Sequence, residues 1–310
     1  MQRRTFIWKL GCAGIAILCD PFNPGFCLQA KGGATSALRK KIPGTGESIP
    51  VIGMGSWITF NVGKIQRLRD QRTRVLKAFL DAGGTVIDSS PMYGSSEEVL
   101  GYAISKLGAR ERVFAATKIW TTEAAEAREQ FQNSLSYWGL SDLELEQIHN
   151  LVNWQDHLPF LQNLKEEGKI RYLGITTSHG RRHAEFARLM EQYNLDFVQF
   201  TYNLANRDAE NSLLPLAKEK QIAVIINRPF GGGGLIRRLK QKPLPAWHQE
   251  LDCQNWPELA LKFIVSHPAV TVAIPATSQL AHMKENMGAV RGRLLEERER
   301  QRLLKYVVNL

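Results

Sequence analysis

Four ionisable side chains in the first half of this 310-residue chain stand where proton chemistry could use them: Asp88, Tyr93, Lys118 and His149. Asp88 closes the apolar run Thr85-Val86-Ile87, and Tyr93 follows in the loop Pro91-Met92-Tyr93-Gly94. Lys118 ends the run from Val113, and His149, with Asn150 after it, ends the run from Leu145. A phenol, with a pKa near ~10, is a poor acid at neutral pH. An ammonium beside it favours the phenolate and lowers that pKa, each unit being worth about 1.4 kcal/mol. A carboxylate beside the ammonium keeps it charged, and an imidazole N–H can orient a substrate oxygen. The set suits protonation of an oxygen on which negative charge develops, as when hydride adds to a carbonyl. Singly, the four read as a helix cap, a loop aromatic, a solvated strand end and a core histidine. The chemistry needs them on one rim.

A barrel would provide that rim. Short apolar runs at 51–55, 85–88, 113–118, 145–149, 172–176, 197–200, 222–226 and 271–274 read as strands. Amphipathic stretches at 73–81, 124–137, 158–165, 181–193 and 258–266 read as helices between them. The first ends at Gly83-Gly84 and the last begins after Pro257. Such alternation predicts parallel βαβ units. Eight strands in about 260 residues predict a (β/α)8 TIM barrel, whose active sites lie at the C-terminal strand ends. A doubly wound open sheet would show a glycine-rich fingerprint after its first strand, and Gly53-Met54-Gly55 is too short for one. Residues 294–310 read as a charged helix packed against the barrel.

With 44% hydrophobic and 23% charged residues, the chain can bury a sizeable core and is not of the disordered class. No apolar run reaches the ~18 residues of a spanning helix. The net charge is +10, but the basic residues form no stripe or motif, so no nucleic-acid partner is expected. Residues 1–30 carry the pair Arg3-Arg4, then Phe6, an apolar stretch from Leu10 to Leu18, and the small residue Ala30 at a plausible cut. These are the parts of a secretory signal of the twin-arginine type. The expected location is periplasmic (cytoplasmic if the leader is not used), with no membrane anchor left after processing. Residues 31–48 read as a linker and 49–310 as one domain, expected to be a monomer. Cys12, Cys19 and Cys27 fall in the leader, which leaves Cys253 as an inert thiol with no disulfide partner. His149, His157, His179 and His183 lack the close spacing of a zinc site, so no metal is expected.

In order along the chain, Asp88-Ser89-Ser90-Pro91-Met92-Tyr93-Gly94-Ser95-Ser96-Glu97 with Leu100-Gly101, then Ala116-Thr117-Lys118 and Gln147-Ile148-His149-Asn150, resemble the aldo-keto reductase superfamily. The resemblance runs from about Ile49 to Met287. It implies NAD(P)H-dependent reduction of an aldehyde or ketone, with Tyr93 as general acid, Lys118 lowering its pKa, Asp88 holding Lys118, and His149 orienting the carbonyl. It also implies that Thr176, Thr177 and Gln199 hold the nicotinamide carboxamide, with Asn227 and Arg228 beside the ring. Thr277, Ser278, His282, Glu285 and Asn286 would then hold the adenosine phosphate and adenine. NADPH is the implied cofactor, and NADH stays open because Ala276 and His282 stand where members often place Lys and Arg. Asn227 stands where many members stack an aromatic on the nicotinamide. That leaves an alternative, a nucleotide-binding barrel with regulatory or vestigial reductase activity. The substrate is expected to be a small carbonyl compound, met by loops around Trp57 and Trp120.

Overall fold

The computed structural model describes residues 37–310. The expected leader and the first part of the expected linker lie outside the described residues.

The centre is a barrel of eight strands. They are β3 (Met54–Gly55), β4 (Val86–Asp88), β5 (Phe114–Ile119), β6 (Leu143–Ile148), β7 (Ile170–Thr176), β8 (Phe197–Thr201), β9 (Ala223–Asn227) and β10 (Val272–Ala273). Neighbours in sequence are neighbours in the sheet, all parallel. Parallel bridges Ile52↔Ala273 and Gly55↔Ala276 join the last strand to the first and close the ring. All eight strands fall where the apolar runs placed them.

The linker reading needs correction. Residues 39–50 form an antiparallel hairpin, β1 (Arg39–Lys41) and β2 (Ser48–Pro50), in register Lys40↔Ile49. Its apolar residues Ile42 and Ile49 are buried with Phe114, Tyr172 and Phe197 at the N-terminal end of the barrel. Lys40 Nζ donates to the carbonyls of His267 (2.8 Å) and Val270 (2.7 Å). A polar composition hid a segment whose few apolar residues plug the barrel floor.

Strand alternation sets up the functional layer. Side chains on one face recur every second residue. Val86, Ala116, Leu145, Phe197 and Ile225 form the apolar barrel interior. Two residues further on, the same face carries Asp88, Lys118, Gln147, Gln199 and Asn227. Each of these five strands thus switches from apolar to polar on this face within its last three residues. Gly174 keeps this layer open, since a Cβ there would sit 2.7 Å from the Phe197 carbonyl and 3.3 Å from Gln147 Cγ.

The outer ring contains α1 (Gln66–Asp81), α2 (Ser96–Leu107), α3 (Ala124–Trp138), α4 (Trp154–Glu166), α5 (His183–Gln192), α6 (Leu213–Glu219), α7 (Gly234–Leu239), α8 (Trp256–Val265), α9 (Leu280–Gly288) and α10 (Glu297–Val308). Helix α10 opens with a capping box between Glu296 and Glu299. Among the described residues no helix is long and apolar enough to cross a membrane.

Candidate active site

Lys118 is the centre of the polar layer. Its side chain is 0% exposed and that of Asp88 3%. Lys118 Nζ donates to Asp88 Oδ2 at 2.7 Å and to the Ser89 carbonyl at 2.5 Å. The other carboxylate oxygen, Asp88 Oδ1, accepts from Gln199 Nε2 (2.8 Å) and Gln147 Nε2 (3.2 Å). Burial by itself would strip the proton from Lys118, but the charge of Asp88 and the neighbouring Tyr93 outweigh it, so its pKa is raised and the ammonium persists.

Tyr93 arrives from the next loop. Ser90 caps a short 3₁₀ turn, Pro91–Tyr93, by accepting the Met92 N–H at 3.3 Å. The turn sets the phenol ring with its centroid 5.1 Å from Lys118 Nζ. The His149 ring meets it edge-on, with centroids 5.7 Å apart and planes at 85°. Lys118 does act on the Tyr93 pKa in the expected direction, but other effects outweigh it. Burial raises it above its ordinary value, Lys118 pulls it down, Asp88 pushes it up, and the net shift is upward. The main reason is that burial removes water from the phenolate, and Asp88 offsets part of the pull of the ammonium. Tyr93 therefore rests as a neutral phenol, the form that has a proton to give.

His149 is 6% exposed, and its Nδ1 lies 3.0 Å from Ser90 Oγ. Burial, then the Lys118 charge, pushes its pKa down to about 3, so the imidazole is neutral. With Ser90 Oγ already accepting from Met92, its hydroxyl hydrogen is free to bond Nδ1. That assignment leaves Nε2–H as the donor toward the cleft.

The cleft above these groups has a volume of about 560 Å³. Asp88, Tyr93 and His149 line it, and Lys118 lies beneath. Of the residues expected at the cofactor, Thr176, Gln199, Asn227 and Arg228 line the cleft. Thr177 does not; its hydroxyl donates to the Arg181 carbonyl at 2.7 Å. Thr277, Ser278, His282, Glu285 and Asn286 follow β10 and run along α9, outside the cleft. Trp57 lines the cleft at 43% exposure, whereas Trp120, equally exposed, does not.

Two of the cofactor expectations take a different local form. Gln199 gives its amide nitrogen to Asp88 and Gln147, and its oxygen accepts from Asn227 Nδ2 at 3.4 Å. Asn227 also donates to the Thr177 carbonyl (2.9 Å) and accepts from Thr201 Oγ1 (2.7 Å). Both amides thus brace the polar layer. Sequence reasoning passed over Ser90 and Gln147. Counting two residues on from Leu145 would have found Gln147.

The rim holds costly backbone. Ile58, Asn150, His179 and Arg228 all line the cleft with positive φ (62°, 54°, 62° and 49°). Such strain in residues with a Cβ gathers at sites where position matters. Next to Arg228, Gly231, Gly232 and Gly233 all have positive φ, as glycine readily allows. Among the described residues no cluster of three or more His, Cys, Asp or Glu side chains could hold a metal.

Against known proteins, the sequence pattern of the aldo/keto reductase family matches residues 51–304. Methylglyoxal reductase YeaE of Escherichia coli is 26% identical over 246 residues, 77% of this chain and 84% of its own. The NADH-specific methylglyoxal reductase of the same organism is 26% identical over 288 residues, 76% and 85% of the two chains. Among solved structures, an aldo/keto reductase from Klebsiella pneumoniae in complex with NADP and acetate superposes with a TM-score of 0.72 at 27% identity, covering 86% of this chain and 94% of that one.

Proposed function

This chain belongs to the aldo/keto reductase family of NAD(P)H-dependent oxidoreductases acting on carbonyl compounds, and from that premise we propose that Tyr93 is its general acid and His149 its carbonyl-orienting donor. The observation that carries this is the buried Lys118–Asp88 pair, 2.7 Å apart, directly beside the Tyr93 phenol.

A bound nicotinamide nucleotide supplies hydride. The chain's own residues do the rest. His149 Nε2–H donates to the carbonyl oxygen and fixes its direction. As the C=O π pair moves onto oxygen, the Tyr93 hydroxyl gives up its proton there. The phenolate left behind faces the Lys118 ammonium, which is held charged by Asp88. Solvent then returns the proton. Lys118 thus acts on the transition state, where charge develops, rather than by ionising the resting phenol.

The cleft suits a nicotinamide nucleotide. The glycine run at 231–233 leaves backbone open to a phosphate, and Arg228 stands beside it. NADPH is the proposed cofactor, with Thr277, Ser278, His282, Glu285 and Asn286 toward its adenosine end and NADH as the alternative. Comparing dissociation constants for NADPH and NADH by fluorescence quenching decides between them. For the acid, Tyr93→Phe is expected to keep cofactor binding and lower carbonyl reduction by about 10²–10⁴-fold. Unchanged turnover would remove Tyr93 from the mechanism.

The barrel is proposed to work as a monomer, because Asp88, Tyr93, Lys118 and His149 come from one chain. The Arg3-Arg4 leader supports export by the twin-arginine route to the periplasm, a route that carries folded proteins and with them a bound nucleotide. Retention of an Arg3→Lys, Arg4→Lys double variant in the cytoplasm is the expected result. Equal periplasmic yield would count against that route.

A further inference from the structure

The cleft is more basic than its chemistry requires. Among the described residues Asp88 is the one carboxylate in its lining, and it is already met by Lys118 and two amides. Arg181 and Arg228 also line the cleft, and among the described residues neither has a carboxylate within ion-pair distance. The neighbouring arginine shows the contrast. Arg182 pairs with Glu185 at 2.8 Å and donates to the carbonyls of Asn150 (2.9 Å) and Leu151 (3.1 Å). Arg181, one position earlier, is left facing the cavity.

The two arginines come from different loops, Arg181 from the one after β7 and Arg228 from the one after β9. Arg228 adjoins the glycine run assigned above to the cofactor's phosphates. Arg181 and His179 sit on the β7 loop, which is stitched to the segment carrying His149. Ser178 Oγ donates to Asn150 Oδ1 (3.3 Å), and the Asn150 N–H donates to Thr176 Oγ1 (2.9 Å). The loop is held firmly. The His179 N–H donates to Thr201 Oγ1 at 3.0 Å, and the Arg181 carbonyl accepts from Thr177 Oγ1 at 2.7 Å. It keeps His179 at a φ of 62°, which a residue with a Cβ adopts only at a cost. Apolar side chains (Trp57, Ile58, Met92 and Phe230) complete the walls.

We propose that this loop makes the enzyme selective for carbonyl substrates that carry a carboxylate, which Arg181 binds with His179 beside it. The proposal rests on the reductase reading of the same cleft and names its substrate class: an aldehyde or ketone with an apolar body and an anionic end. Burial, then Arg228 and Arg181, lowers the His179 pKa, so this imidazole is neutral until an anion arrives. A carboxylate between His179 and Arg181 offsets that repulsion, favours protonation of the imidazole and accepts hydrogen bonds from both side chains. Guanidinium–carboxylate contacts of this kind are directional and charge-assisted.

The test uses the enzyme with saturating NADPH and a matched pair, 4-carboxybenzaldehyde and benzaldehyde. The expected kcat/KM ratio favours the carboxylate roughly tenfold or more at low salt and shrinks as ionic strength rises. Arg181→Gln brings the ratio close to one, Arg181→Lys keeps part of it, and the dissociation constant for NADPH stays the same in both. A parent ratio near one overturns the proposal. So does an Arg181→Gln variant that binds NADPH more weakly with its ratio intact, since Arg181 would then serve the cofactor's phosphates. Binding of benzoate against benzamide to the NADP⁺-loaded protein reads the same selectivity without turnover. If neither aldehyde reacts, the reductase reading fails, while the benzoate preference still decides the present inference.

Discussion

Glu146 and Gln147 are neighbours on β6, both 0% exposed, and they face opposite sides of the barrel wall. Gln147 points inward, where its amide nitrogen donates to Asp88 and to the Thr117 carbonyl. Glu146 points outward into the layer between strands and helices, and among the described residues neither of its carboxylate oxygens has a hydrogen-bond partner. Glu97, from α2, occupies the same layer. Its Oε1 accepts from Thr117 (2.7 Å), Ser134 (2.9 Å) and Trp138 (3.0 Å). Burial, then the like charge of Glu97, drives the Glu146 pKa well above its ordinary value. A buried acid thus has two outcomes within a few ångströms of one wall. Inside, a cation and two amides meet the Asp88 carboxylate. Outside, Glu146 escapes the cost of burial by keeping its proton. The inner arrangement is the one proposed to serve chemistry, whereas the outer one has only a proton to balance it.

The sharpest way to break this contrast is to remove the inner cation. Lys118→Met leaves Asp88 buried without its counter-charge, an expected loss of about 3–5 kcal/mol of stability. Carbonyl reduction should fall by about 10²–10⁴-fold as well. Adding Asp88→Asn should restore much of the stability and none of the activity. Urea unfolding and kcat/KM separate the two effects. If Lys118→Met melts with the parent, the pair does not anchor the layer.

A smaller effect, of opposite sign, is expected outside. Glu146→Met removes an unpartnered polar group from the outer layer and should stabilise the fold by about 1–3 kcal/mol. The pH dependence follows from the raised pKa. A carboxyl that binds its proton more tightly when folded lowers stability as pH rises from its unfolded value, near ~4.5, toward the higher folded one. The advantage of Glu146→Met should therefore widen from acid toward neutral pH in thermal melts. A constant gap would mean that Glu146 is not the titrating group.

Much of the inner face was legible in the amino-acid sequence, because strand alternation turns a linear pattern into a layer. Asp88, Lys118 and His149 each end an apolar run, and each reached the same cleft or its floor. Other features depended on neighbours from elsewhere in the chain. The 39–50 hairpin is polar apart from Ile42 and Ile49, and only the open barrel floor gives those two a reason to be buried. Helix α2 was not among the amphipathic stretches read from the sequence, since it starts at Ser96, directly behind the Tyr93 loop and within the stretch that carries the family resemblance. The direction of the Tyr93 pKa balances burial against two opposed charges, and no spacing reveals which prevails. Trp120 looked equivalent to Trp57 in sequence, but Gln130 bonds both its backbone N–H and its carbonyl, and it stays outside the cleft.

The finest probe of the inner layer is Gln147 itself. Its bonds to Asp88 and the Thr117 carbonyl are long, at 3.2 and 3.4 Å, whereas Gln199 reaches Asp88 at 2.8 Å. Gln147→Leu therefore removes a weaker brace while Asp88 keeps Lys118 and Gln199. The expected cost is about 1 kcal/mol in stability and a loss of activity far below that of Lys118→Met, with NADPH affinity unchanged. Gln199→Leu should cost more, because it removes the shorter bond and also an acceptor for Asn227. If Gln147→Leu were as damaging as the loss of Lys118, the carboxylate would be held chiefly by its amides. The ion pair would then be a consequence of the layer rather than its cause.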